Sequence, residues 1–389
     1  MTTISTPTPT NLDHTPGTRL VFGDGALEHL GPLCVELGAT RVMIISDPGV
    51  THAGHTERGL QVVRRAGLEA TTFASVHENP STADVDAAVV AAKSFKPDLL
   101  VGLGGGSAID TAKGCNFIYT NGGVMADYHH SDKPVEKMLP LIAVPTTHGT
   151  GSEAQSYALI ADEDTHMKMA CGDPKALPAI ALLDPSLTLT QPDSVAACTS
   201  IDAITHAVES YVCTRRNEVS MRYAAESLSL TLSALPRVLD DPGDTKARGD
   251  MLLGAAYAGL AIENSMLGSA HSCANPLTAK FGVLHGQAVG LMLPHVIRFN
   301  SVDDEARSSY ETLAELAGLD SVEALIATLT SALKRAGLKT TLAELDVDPQ
   351  SFGELAEKAS AQWTANFNPR PIKPEDFETL YHAAYGGQA

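Results

Sequence analysis

The chain has 389 residues, enough at roughly 150 residues per domain for two or three domains with buried cores. Its 27 Lys and Arg against 46 Asp and Glu leave a net charge of −19, which repels phosphate backbones and anionic lipid and argues against nucleic acid and membrane as partners. The six cysteines, Cys34, Cys115, Cys171, Cys198, Cys213 and Cys273, include no C-x-x-C pair, so neither a disulfide framework nor a thiolate metal cage is expected.

Residues 1–16 are Thr and Pro rich, with no basic start and no apolar run, and read as a disordered tail without a secretory signal. A cytoplasmic protein is expected, and no stretch approaches the roughly twenty apolar residues of a membrane span. From 17 to 190 short apolar runs alternate with helical stretches. The runs Arg41 to Ser46, Asp98 to Gly102, Leu141 to Val144 and Ile180 to Leu183 are apolar on both faces, as buried parallel strands of an α/β domain are. Between them, Val85, Ala88, Val89 and Ala92 fall at helical spacing over Asp84 to Ser94. The segment Pro185 to Pro192 marks a boundary. From 191 to 389 the pattern predicts an all-helical domain, broken near Asp240 to Asp244 and at Gly337, with Ile201, Ile204, Val208, Tyr211 and Val212 on one core-facing stripe.

Two loops carry phosphate-binding signals. The strand ending at Gly102 runs into Leu103-Gly104-Gly105-Gly106-Ser107-Ala108-Ile109-Asp110, with a helix expected over Thr111 to Tyr119. Glycines at a strand-to-helix turn admit a ligand close to the backbone, and the helix's unpaired N–H groups favour an anion. The G-x-G-x-x-G fingerprint is not met, since Ser107 stands where its third glycine belongs. The second loop, Pro145-Thr146-Thr147-His148-Gly149-Thr150-Gly151-Ser152-Glu153, holds more hydroxyl and imidazole donors than a turn requires. Asp47 ends an earlier strand. A carboxylate there suits both ribose hydroxyls of NAD and repels a 2′-phosphate, although it equally suits a helix cap before Pro48.

The second half carries metal-binding signals. Asp202 and His206 stand four apart on a predicted helix, one above the other on one face. With His271 and His285 they make a borderline set that suits Fe(II) or Zn(II) and leaves room for substrate. His14, His129, His130 and His166 show no such pairing and read as ordinary histidines.

These residues resemble the iron-containing (group III) alcohol dehydrogenase family, which shares its fold with glycerol dehydrogenase and dehydroquinate synthase. The matching pieces are Phe22-Gly23-x-Gly25-Ala26-Leu27, Asn79-Pro80, the Gly104 to Ser107 loop with Asp110 and Lys113, and the Pro145 to Glu153 loop. Further on come Lys168, Asp184-Pro185-x-Leu187-Thr188, Asp202 to Ala207, His271, His285-Gly286, Leu293-Pro294-His295-Val296 and Asn368-Pro369-Arg370-Pro371. The resemblance implies a dinucleotide domain, a helical domain and a catalytic ion in the cleft between them, held by Asp202, His206, His271 and His285. It places the cofactor on Gly104, Gly105, Gly106, Ser107, Thr146, Thr147 and Lys168, with Asp47 on the ribose, Asn79 nearby, and Asp110, Thr150 and Leu187 in the same motifs. It further implies NAD, a small alcohol or aldehyde substrate, and a homodimer or larger oligomer.

The chain departs from the family's pattern at Asn275, where many members carry a histidine that helps relay the proton. An amide cannot titrate, so water, a cofactor hydroxyl or His148 is expected to serve instead. His148 replaces a small residue of the T-T-x-G-T loop, and with Gln155 it is expected to turn the pocket toward a polar or anionic substrate. A hydroxyacid-oxoacid transhydrogenase, or a cyclising lyase like dehydroquinate synthase, is the competing reading. The lyase needs Lys and Arg clusters not seen around Asp202. A degenerate scaffold that binds nucleotide without turnover fits poorly with four retained polar ligands, because buried polar groups are costly without compensation.

Overall fold

The computed structural model describes residues 17–129, 135–164 and 168–386, so His14, His130, His166 and the expected tail fall outside the described residues. The chain forms two compact units that part between Gln191 and Pro192. In chain order the first unit comprises β1 (Arg19–Phe22), α1 (Leu30–Glu36), β2 (Arg41–Ile45), α2 (Pro48–His52), α3 (His55–Arg65), β3 (Glu69–Phe73), α4 (Thr82–Phe95) and β4 (Leu99–Gly104). It continues with α5 (Gly106–Asn121), β5 (Leu141–Pro145), β6 (Tyr157–Ala161), β7 (Lys168–Gly172) and β8 (Ile180–Leu183).

Six of these strands form one parallel sheet in the order β1-β8-β5-β4-β2-β3. Their apolar runs bury both faces, as the sequence implies. Met43 and Ile45 of β2 face one core and Val42 and Ile44 the other, all four fully buried. Each such side chain contributes roughly 1.5–3 kcal/mol. The edge strands β1 and β3 and the antiparallel hairpin β6–β7 were not expected. Glu69–Phe73 pairs only with β2 and is largely half-exposed, so it lacks the continuous apolar run of a central strand.

Two motifs turn out to be structural ties. The Asp184 carboxylate accepts from the backbone N–H groups of Gly25 and Leu27, each at 3.1 Å, and from Ser186 at 3.0 Å. Gly25 sits at φ 74°, a left-handed turn conformation suited to glycine. The turn after β1 is thereby fastened to the turn after β8.

The second unit comprises α6 (Asp193–Val212), α7 (Glu218–Asp240), α8 (Thr245–Glu263), α9 (Ser269–Phe281), α10 (His285–Asn300), α11 (Asp304–Leu316), α12 (Val322–Arg335), α13 (Phe352–Ser360) and α14 (Pro374–Gly386). Its described residues contain no strand. The α6 stripe of Ile201, Ile204, Val208, Tyr211 and Val212 is buried in one core shared by these helices. The break after Asp240 is where Asp244 caps α8, accepting from the Ala247 N–H at 2.9 Å. The fold is thus a parallel-sheet domain followed by a helical one, the dehydroquinate synthase-like arrangement.

Candidate functional site

Three helices of the second unit bring the four expected ligands together. Asp202 and His206 lie one turn apart on α6, His271 is the third residue of α9, and His285 is the first of α10. The approach of α10 to α6 depends on two glycines. A side chain at Gly286 would collide with the Cys198 carbonyl of α6, and one at Gly290 with Ile201. At Gly286 backbone thus packs on backbone, at Gly290 the Ile201 side chain fills the space, and His285 is drawn alongside Asp202.

The Asp202 Oδ1 atom stands 3.4 Å from His206 Nε2, 3.5 Å from His271 Nε2 and 3.9 Å from His285 Nε2. Donor atoms of Asp202, His271 and His285 all lie within 4.8 Å of one another. A four-coordinate ion with bonds of about 2.1 Å spaces its ligand atoms roughly 3.4 Å apart, so the set has the dimensions of a divalent-cation site. Asp202 is 7 % exposed and His271 4 %, yet Asp202 Oδ1 and His271 Nε2 are buried without a hydrogen bond among the described residues. Such atoms are costly unless something else satisfies them, and a cation does. One carboxylate with three imidazoles suits Fe(II) or Zn(II).

Electrostatics agree. Burial opposes ionisation of Asp202, but His206, His271 and His285 outweigh it and hold the carboxyl well below the usual carboxylate range. Burial likewise opposes a charge on His271, yet Glu209 and Asp202 raise it to about 9. Without a cation these two carboxylates hold a proton on the imidazole, and a divalent ion answers the same negative charge. Sequence reasoning missed Glu209. It is 3 % exposed, accepting from His271 Nδ1 at 2.5 Å and from the Ala270 N–H at 2.7 Å. Its signal was there: a Glu seven residues after Asp202 falls on the same helix face, inside the otherwise uncharged run Ala207 to Val212.

The first unit builds a cradle from the two glycine and threonine loops. Helix α5 begins at Gly106, five residues earlier than expected, with Gly105 extended at its N-cap and no side-chain cap. Its first N–H groups and positive end are therefore open to an anion. The Thr146 N–H donates to the Gly104 carbonyl at 2.9 Å, and a Cβ on Gly106 would sit 2.9–3.0 Å from Thr150 atoms. Thr147 Oγ1 is buried beside Gly105 without a hydrogen-bond partner among the described residues. Ser107 is half-buried in the first turn of α5. These groups fit a diphosphate.

The remaining expected residues divide. Asp47 caps α2 through Oδ1, accepting from the Val50 N–H at 2.9 Å, while Oδ2 lies 2.9 Å from the position of a Cβ on Gly104. Asn79 is exposed after β3 at φ 53°, a conformation Asn tolerates, and Lys168 opens β7 at the surface. Asp110 does not offer its carboxylate to a ligand. Its Oδ1 accepts from Ser152 Oγ and its Oδ2 from the Leu159 N–H at 3.1 Å, while Lys113 Nζ holds the Ser152 carbonyl at 2.7 Å. Asp110 and Lys113 thus brace the second loop from beneath. Leu187 is fully buried in the core that also holds Val21 and Leu30, so it packs the domain rather than lining a binding surface. His148 is fully enclosed within the second loop. Asn275 lies one turn past His271, and its amide donates to Gln362 Oε1 at 2.9 Å. Gln155 donates to the Thr150 carbonyl at 3.2 Å.

Comparison with known proteins follows this division. Residues 17–185 match the family described as iron-containing alcohol dehydrogenase, and residues 196–385 match the C-terminal region of the Fe-containing alcohol dehydrogenase family. The chain is 31% identical over 366 residues to alcohol dehydrogenase 4 of Schizosaccharomyces pombe, covering 94% of this chain and 87% of the relative. Among solved structures, a 1,3-propanediol oxidoreductase superposes with a TM-score of 0.90 at 29% identity, covering 94% of this chain and 97% of that one. The sulfoacetaldehyde reductase of Bifidobacterium kashiwanohense, solved in complex with NAD+, gives 0.89 at 27% identity, with 96% and 98% covered.

Proposed function

Because the chain belongs to the iron-containing alcohol dehydrogenase family, an oxidoreductase family acting on CH–OH groups, we propose that it transfers hydride between NAD and a small primary alcohol or aldehyde with the aid of a divalent ion. The carrying observation is the buried Asp202 Oδ1 ringed by three imidazole nitrogens at 3.4–3.9 Å. Asp202, His206, His271 and His285 are the ligands in this reading, and Fe(II) is the ion. An ion in this position polarises an alcohol or carbonyl oxygen, and a nicotinamide accepts or delivers the hydride.

The chain's own groups do the rest. Asp202 brings the set's single negative charge, so these four residues would leave a bound divalent cation a net positive field. Burial of Asp202, His206 and His271 keeps water from weakening that field. Gly105, Gly106, Ser107 and Thr147 hold the cofactor's diphosphate through N–H and hydroxyl donors, and the Asp47 carboxylate repels a 2′-phosphate, which favours NAD over NADP. Asn275 carries no titratable proton and stays fixed by Gln362.

The test is protein reconstituted with Fe(II) or Zn(II) and assayed for NADH oxidation with short aldehydes, before and after chelation. Loss of turnover on chelation, and at least a 1,000-fold loss of kcat/KM in Asp202→Asn, are expected. Tightly held cofactor with no net NADH change would instead establish a transhydrogenase.

A further inference from the structure

Glu209 occupies a position that no ligand role accounts for. It is buried on α6, one turn beyond His206, and both its carboxylate oxygens are engaged by donors of α9. Oε1 accepts from the Ala270 N–H at 2.7 Å and Oε2 meets His271 Nδ1 at 2.5 Å. The opposite ring nitrogen, Nε2, points to Asp202 at 3.5 Å and makes no hydrogen bond among the described residues. The surroundings leave the carboxylate little freedom. A Cβ added at Gly268 would lie 3.1 Å from Glu209 Oε1 and 3.4 Å from Asn368 Oδ1. Asn368, from the Asn368-Pro369-Arg370-Pro371 motif, is itself buried and locked to Asn300 by an Nδ2 to Oδ1 bond of 2.7 Å.

We infer that Glu209 is a positioning residue that selects the tautomer of His271, holding the proton on Nδ1 so that the Nε2 lone pair is committed to the cation. A neutral imidazole has one N–H and one lone pair, and an acceptor-only carboxylate against Nδ1 assigns the N–H to that side. Two donors face Glu209, and a carboxylate satisfies both. A glutamine is nearly the same shape but supplies one acceptor and one NH₂. Whichever way its amide turns, the NH₂ meets a donor, unless His271 shifts its proton to Nε2 and accepts at Nδ1. That shift withdraws the ligand. Outer-sphere partners of ligating imidazoles are commonly worth 10–100-fold in metal affinity.

The inference rests on the metal reading proposed above, and the experiment separates the two. Zn(II) dissociation constants are measured by chelator competition at neutral pH on the full chain for wild type, Glu209→Gln, Glu209→Ala and Asp202→Asn. Thermal unfolding without metal accompanies each. The expected result is Zn(II) binding by wild type, at least tenfold weaker binding by Glu209→Gln, and no stronger binding by the glutamine variant than by the alanine one. In the Zn(II)-loaded wild type, ¹⁵N-edited NMR should show His271 protonated at Nδ1. A Glu209→Gln protein that folds and binds within twofold of wild type overturns the inference, as does a ring protonated at Nε2. A role in packing alone predicts the reverse order, with glutamine near wild type and alanine weakest. A wild type indifferent to Zn(II) and Fe(II), with Asp202→Asn the same, overturns the metal reading itself.

Discussion

Glu153 shows what burial does to a single side chain in this protein. It is 1 % exposed, and burial, reinforced by the Asp110 charge, pushes its carboxyl up to about 7 from an ordinary value near 4.5. One buried cation serves two carboxylates here: Lys113 Nζ lies 3.6 Å from Asp110 Oδ1 and spends its N–H groups on Ser152 and on the Tyr157 carbonyl. The sign of the effect follows from proton counting. Between about pH 4.5 and 7 the folded protein keeps a proton on Glu153 that the unfolded chain has released, so this group's contribution to stability is present below that window and lost as pH rises through it. Glutamine has no proton to lose. Glu153→Gln should therefore gain on wild type by up to roughly 3 kcal/mol between pH 5 and pH 8, a tenfold change in proton affinity being worth about 1.4 kcal/mol. Urea unfolding at four pH values across that range would check it, and a pH-independent difference would show that Glu153 ionises freely. None of this was legible in the sequence. Ser152-Glu153 could be read as part of a ligand loop, but motif membership does not say which way a side chain faces. The same blindness hid that Leu187 and His148 are both enclosed.

At the level of elements, the sequence exposed what periodicity and chemistry both constrain. Central strands are apolar on both faces and so declare themselves, and four metal-competent side chains stand out because Asp202 and His206 must share a helix face. Edge strands such as β3 bury only part of their surface and leave no such trace. Helix α5 starting inside the glycines was equally hidden, since glycine is read as turn punctuation until a packed helix start is seen. The contact of α10 with α6 is the element-scale device that makes the centre, and it yields a sharp test. Gly286→Ala places a methyl against the Cys198 backbone, which cannot rotate away as a flexible side chain can. Helix α10 must shift, carrying His285 from Asp202. Overpacking of this kind costs about 1–3 kcal/mol, and loss of one ligand should weaken Zn(II) binding at least tenfold. Thermal unfolding with and without metal should show a lower melting temperature and a smaller metal-induced rise. An unchanged metal-induced rise would mean that the helix contact does not set the ligand distance.

For the molecule as a whole, the net charge of −19 means that an anionic cofactor is not gathered by overall charge. Its binding must come from local donors, and the donors proposed for it all lie in the first unit: the start of α5 and the Thr146 to Thr150 loop. The proposed cation ligands lie in the second, on α6, α9 and α10. Each unit also has its own hydrophobic core, the first on the two faces of the sheet and the second among its helices. A ligand that binds only folded protein suppresses opening of the structure it touches, by RT ln(1 + [L]/Kd), or about 2.7 kcal/mol at a hundredfold excess over Kd. Amide exchange follows such local opening. Hydrogen exchange read by mass spectrometry should therefore resolve two footprints on one chain. Zn(II) should slow exchange in peptides covering α6, the first turns of α9 and the start of α10, and a chelator should reverse it. NADH alone should slow peptides spanning Gly104 to Asp110 and Pro145 to Ser152. Were Zn(II) to protect the β4–α5 loop while leaving α6 and α9 unchanged, the ion would not be held by Asp202, His206 and His271. NADH protection confined to the helical unit would place the cofactor elsewhere.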